Sequence, residues 1–109
     1  MPEQATAIAA LNDKFRKTLT GGKVMLTRGV SELGSTAVGD LLLEVRTFRR
    51  FTEENDPHGE HDFGAVDYDG QKVFWKIDYY DLSLTFHSED AADPAKTVRV
   101  LTIMLASEY

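Results

Sequence analysis

The stretch His61-Asp62-Phe63-Gly64-Ala65-Val66-Asp67-Tyr68-Asp69-Gly70-Gln71-Lys72-Val73-Phe74-Trp75-Lys76-Ile77-Asp78-Tyr79 decides the fold. Asp69-Gly70 stands between two runs rich in aromatic and β-branched residues. That pair is the preferred two-residue turn of a β-hairpin. With the turn there, Asp67 faces Lys72, an opposite-charge cross-strand pair. Val66 faces Val73, Ala65 faces Phe74, and Gly64 faces Trp75, so the indole can lie across a residue with no side chain. Extending the register places Asp62 opposite Ile77, His61 opposite Asp78, and Glu60 opposite Tyr79. The hairpin is expected to span 62–79.

Outward from the hairpin, residues 4–19 carry Ile8, Leu11, Phe15 and Leu19 at helical spacing, with Asn12, Asp13, Lys14, Arg16 and Lys17 on the other side. Asp13 with Lys17 forms an i,i+4 acid-before-base pair, and Gly21-Gly22 is expected to end the helix. Lys23–Thr27 reads as a short strand and Arg28–Leu33 as one helical turn closed by Gly34. Val38, Leu41, Leu42, Val45 and Phe48 favour a second helix, with a strand over 43–51 as the competing reading. Asp93-Pro94 resembles an N-cap followed by proline at the first helical position. Val98, Leu101 and Leu105 then predict a C-terminal helix, and a strand over 95–106 is the runner-up. The expected architecture is a single α+β domain, 1–109, with an N-terminal helix, a small antiparallel sheet around the hairpin, and a C-terminal helix.

The chain has 109 residues, 42% hydrophobic and 28% charged, the composition of one folded domain. There is no cysteine, which excludes disulfides, thiolate metal sites and a cysteine nucleophile. No apolar run approaches the ~20 residues of a membrane-spanning helix. The start, Met1-Pro2-Glu3-Gln4, lacks the layout of a secretory signal. A cytoplasmic protein is expected. The net charge of −6 is uneven. Residues 1–51 hold eight Lys/Arg against five Asp/Glu, and residues 52–109 hold four against thirteen. Acidity of this kind argues against direct binding of duplex nucleic acid, which rewards neutralising phosphates. It suits a basic partner or a cation, and its plain reading is a solvated face. Arg46, Arg49 and Arg50 could meet phosphate; offsetting neighbouring acids is the plainer account.

The polar residues concentrate at Asn55-Asp56-Pro57-His58-Gly59-Glu60-His61-Asp62 and at Asp78-Tyr79-Tyr80-Asp81. The register brings the two clusters to one end of the hairpin. Three readings follow. A divalent metal could use His58, Glu60, His61, Asp78 and Asp81, although the order His-Gly-Glu-His is not the zinc-protease helix motif. Metal-free acid–base chemistry could use His61 oriented by Asp78, with Tyr79 donating. A binding module could present Asp56, His58, Glu60, Asp62, Tyr80 and Asp81 to a protein partner. The plain alternative is a structural His61–Asp78 pair with Asp56 capping its own turn. No serine elbow, phosphate loop or dinucleotide glycine pattern is present, and nothing in the pattern fixes an oligomeric state.

The blocks Asn55–Gly64, Trp75–Asp81 and Arg99–Tyr109, with Ile8–Arg16 and Leu26–Val30, resemble an uncharacterised bacterial domain family whose members are often encoded on plasmids and integrating elements. The resemblance implies an accessory protein of mobile DNA and supplies no catalytic residues. The expected function is a non-enzymatic interaction protein that binds a protein partner through the acidic, aromatic end of the hairpin, in an anti-defence or nucleic-acid-mimic role, without a cofactor. The alternative is a small metal-binding protein or hydrolase.

Overall fold

The computed structural model describes residues 3–109. A helix α1 (Glu3–Thr18) leads into a short strand β1 (Gly22–Leu26), a single helical turn α2 (Arg28–Ser31) and a second helix α3 (Ser35–Arg46). A loop rich in turns then enters β2 (Phe63–Tyr68), β3 (Gln71–Tyr80), a second irregular loop, β4 (Val98–Leu105) and a 3-10 turn, Ala106–Glu108. The strands form one mixed sheet in the order β1-β4-β3-β2.

The hairpin has the expected register from Phe63 opposite Lys76 to Tyr68 opposite Gln71. Its turn residues Asp69 and Gly70 both take positive φ, 50° and 82°, as the tightest twist-matched turn demands. Strand β1 pairs parallel with β4, and β3 pairs antiparallel with β4.

The C-terminal helix is not formed: residues 98–105 are a strand, and the chain then closes in a 3-10 turn. Two facts explain this. Val98, Val100, Thr102 and Ile103 are β-branched and favour the pleated surface. The strand also lies between two others, so Leu101 and Ile103 bury on one face while Met104 buries on the opposite one. Arg99 holds a buried position while Val98, Val100 and Leu105 are half-buried, so hydrophobicity does not follow the alternating burial and an accidental helical spacing remains. The Asp93 side chain accepts from Ala95 N at 2.9 Å, a local turn rather than a helix cap.

All helices pack on one face of the sheet. Val66, Val73, Trp75, Ile77, Leu101 and Ile103 meet Ile8 and Phe15 of α1, Val30 of α2, and Leu41 and Val45 of α3. Trp75 is fully enclosed, edge-on to Phe48 at 5.4 Å. The opposite face carries Phe63, Phe74, Lys76, Asp78 and Tyr80, with Tyr109 folded against Phe63 and Phe74. Glu108 ties the chain end to α2, accepting from Thr27 Oγ1 at 2.6 Å and Gly29 N at 2.9 Å. Those bonds hold its carboxyl below the usual range. The α1 helix ends on Leu19, whose φ of 56° makes it the left-handed residue; Gly21 follows at 88°.

Candidate functional site: the 56–62 loop against helix α1

Helix α1 has two buried faces, not one. Beside Ile8 and Phe15 runs a second row, Ala5, Ala9, Asn12 and Arg16, all buried. Asn12 is 0% exposed and Arg16 2%, although both were expected on the solvent side. The two alanines, spaced in step with Asn12 and Arg16, were the available signal for that row.

The 56–62 loop lies against this second row. Asp56 shapes it: its buried carboxylate accepts from the backbone N–H groups of Glu60 and His61, both at 3.1 Å. Asp56 therefore caps its own turn, as the plain reading held. His61 takes φ 57°, a left-handed conformation that breaks the strand before Phe63. The ladder reaches only as far as Ile77 N donating to Asp62 O at 2.8 Å. His61 therefore does not face Asp78. Its ring turns toward α1 and stacks on Phe51, with centroids 4.0 Å apart and planes parallel. Nδ1 lies 3.0 and 3.1 Å from the two Asp13 oxygens, and Nε2 lies 3.7 Å from Asp56 Oδ2. A carboxylate at Nδ1 places the ring proton there. Asp13 is shared, since Arg16 Nη2 also donates to it at 2.7 Å; its pairing with Lys17 is replaced by these two.

Asn12 is the hub on the other side of α1. Its Nδ2 donates to Glu60 O at 2.9 Å and to the Tyr79 hydroxyl at 2.8 Å. Its Oδ1 accepts from Arg99 Nε at 2.7 Å, and Arg99 Nη2 donates to Ala91 O at 2.6 Å. The Tyr79 hydroxyl donates to Glu60 Oε1 at 3.0 Å. Burial pushes the Tyr79 phenol well above its ordinary range and the Arg99 guanidinium below its own. Tyr79 thus stays a neutral donor. A cleft of about 450 Å³ beside this network is bordered by His58, Glu60, Tyr79 and His87. Asp62, at the loop's end, has its carboxyl raised by burial and by the nearby Glu60.

The sequence-chosen residues therefore divide. Asp56, His58, Glu60, His61, Asp62 and Tyr79 lie together near α1. Asp78 and Tyr80 point from the opposite sheet face, where Asp78 accepts from Lys76 Nζ at 2.6 Å. Asp81 serves its own loop: it accepts from Ser83 Oγ at 2.8 Å and Thr85 N at 3.0 Å, which hold its carboxyl below the usual range. Among the described residues no three His, Asp or Glu side chains are placed to share a metal ion. Asn12, Asp13, Arg16 and Arg99 were missed, because each has partners 29 to 87 residues away and no local pattern reports such pairs. Among the described residues no helix is long and apolar enough to cross a membrane.

No curated protein and no solved structure matched the chain. Residues 26–108 match the family described as "Protein of unknown function (DUF3768)". The match begins at Leu26, so α1 with Asn12, Asp13 and Arg16 lies outside it. With 26–108 of its 109 residues covered, the chain belongs to the DUF3768 family.

Proposed function

We propose that this chain is a non-enzymatic interaction protein, an accessory of bacterial mobile DNA, that engages a protein partner through the loop following β3. The supporting observation is exposure. Leu82, Leu84 and Phe86 are 66%, 41% and 71% exposed on one five-residue stretch. Large apolar side chains gathered at one tip mark contact surfaces on otherwise polar proteins. The tip is not slack: Asp81 anchors it, and Asp81 N donates to Phe86 O at 2.8 Å. Glu89, Asp90 and Asp93 follow in the same loop, with Lys96 the nearby cation. The partner that fits is an apolar pocket rimmed by Lys and Arg. In the anti-defence version of this role it is a DNA-binding host protein, with these carboxylates standing where phosphates would. The mobile-DNA setting itself rests on the sequence resemblance.

The test places a photocrosslinking amino acid at position 86, and at exposed Met25 as control, in the bacterial host. A discrete adduct from position 86 alone is expected. Leu82→Ser with Phe86→Ser should then weaken the purified pair by at least ~tenfold, the scale of losing interface anchors, with an unchanged urea midpoint. Equal adducts from both positions, or undiminished affinity, overturn the proposal. The hydrolase alternative keeps one support, the imidazole of His61 oriented by Asp13. Two of its other proposed members, Asp78 and Asp81, are engaged elsewhere.

A further inference from the structure

Helices α1 and α3 end side by side, and each sends an arginine to the other's last turn. Arg16 donates through Nη1 to Val45 O and Phe48 O, both at 2.8 Å. Arg46 donates through Nε to Lys17 O at 3.0 Å. Cations at helix C-termini answer the partial negative charge there, so part of this basic cluster is structural. The remainder is Lys17, Arg49 and the Nη atoms of Arg46, whose bond to Lys17 O is made through Nε. Lys17 and Arg49 have no ion-pair partner among the described residues. Arg50 turns away and lies over the Phe48 ring at 5.0 Å. The one acid in the cleft, Asp13, is already committed to Arg16 and His61. Buried Arg16 Nε has no hydrogen-bond partner among the described residues.

These cations border an open cleft of about 570 Å³, one wall of which is the Phe51–His61 stack. The volume falls in the range of small-molecule sites, ~300–1,000 Å³. The chain carries −6 overall, so a basic cleft here works against the global field and would attract an anion locally. Arginine forks and a lysine converging from three backbone positions match the several oxygens of a phosphoryl group better than a single carboxylate. We infer that this cleft binds a small phosphate-bearing ligand, with Lys17, Arg46 and Arg49 on the phosphoryl oxygens and a planar group against the Phe51–His61 wall. The site is separate from the loop following β3 and does not depend on that loop's role.

The test is a two-dimensional amide NMR titration of the full chain with adenosine monophosphate, with inorganic pyrophosphate, and with sodium chloride at matched ionic strength. Saturable shifts around Phe51 and His61 are expected with a Kd below ~1 mM, tighter for the nucleotide than for pyrophosphate. The double variant Lys17→Gln, Arg49→Gln should bind at least ~tenfold more weakly, as charge-assisted bonds predict, and should melt like the parent because neither side chain has an ion-pair partner among the described residues. Absence of saturation, shifts reproduced by sodium chloride, or unchanged affinity in the double variant overturns the inference. Equal affinities for the two phosphates overturn the part assigned to the aromatic wall.

Discussion

Substituting Gly64 by alanine tests the packing on which the sheet depends. Gly64 faces Trp75 across the hairpin. A Cβ built there meets Trp75 Cε2 at 2.6 Å and Cζ2 at 2.8 Å, and also touches Nε1. Carbon pairs rest at ~3.5–4.0 Å, so the indole would have to retreat by about 1 Å. It has nowhere to go. Trp75 is 0% exposed, edge-on to Phe48 at 5.4 Å and Phe51 at 6.1 Å, with the Arg16 guanidinium 5.2 Å from its ring. Overpacking of this kind costs ~1–3 kcal/mol, and the rigid surroundings favour the upper half. Alanine recovers ~0.4–1 kcal/mol by restricting the unfolded chain. The net expectation is a loss of about 2 kcal/mol, a fall in Tm of about 8–12 °C for a domain this size. Urea unfolding followed by fluorescence of the single tryptophan reads both stability and the indole's surroundings. Gly39→Ala is the control. Gly39 is exposed within α3 with nothing within 4 Å of its added carbon, so it should gain ~0.5–1 kcal/mol. A Gly64→Ala protein as stable as the parent, with unshifted emission, would refute the close approach of glycine and indole.

Two further outcomes follow from the polar network. Asn12→Ala removes the acceptor of Arg99 Nε and the donor to Tyr79 and Glu60; with the buried guanidinium left under-satisfied, the loss should be ~3 kcal/mol or more in urea unfolding, and a loss under ~1 kcal/mol would show that the hub is dispensable. Asp62 has its carboxyl raised by burial, so its contribution favours the fold when protonated and is lost as pH rises through the folded value. Asp62→Asn should therefore raise the urea midpoint at pH 7 and leave it nearly unchanged at pH 3; the opposite order of effects would refute the assignment.

The hairpin was legible because its information is local: an Asp-Gly turn, a charge pair, and a glycine across from a tryptophan. The second helix, α3, was legible for the same reason, its apolar spacing being unbroken apart from Gly39. The final strand was misread as a helix because a polar residue, Arg99, holds one of its buried positions while apolar Val98 and Val100 hold half-buried ones, so hydrophobicity does not follow the burial, and Val98, Leu101 and Leu105 fall by chance at helical intervals. The site was half legible. Residues 56–62 do lie together, but their partner was taken to be Asp78, on the assumption that the strand continued through His61. A left-handed backbone at His61 redirects its imidazole toward α1. Polar residues that bury, such as Asn12 and Arg16, look like surface until the chain they contact is folded beside them.

The order β1-β4-β3-β2 has a consequence for how the protein is made. The strand translated after the other three lies in the middle and supplies the hydrogen-bonding edge for both β1 and β3. Until Val98–Leu105 leaves the ribosome, β1 has no neighbour and the hairpin has a bare flank, so apolar strands wait unshielded during synthesis. A premature stop ahead of residue 98 would yield not a slightly weaker domain but two disconnected fragments of sheet, fit only for aggregation or proteolysis.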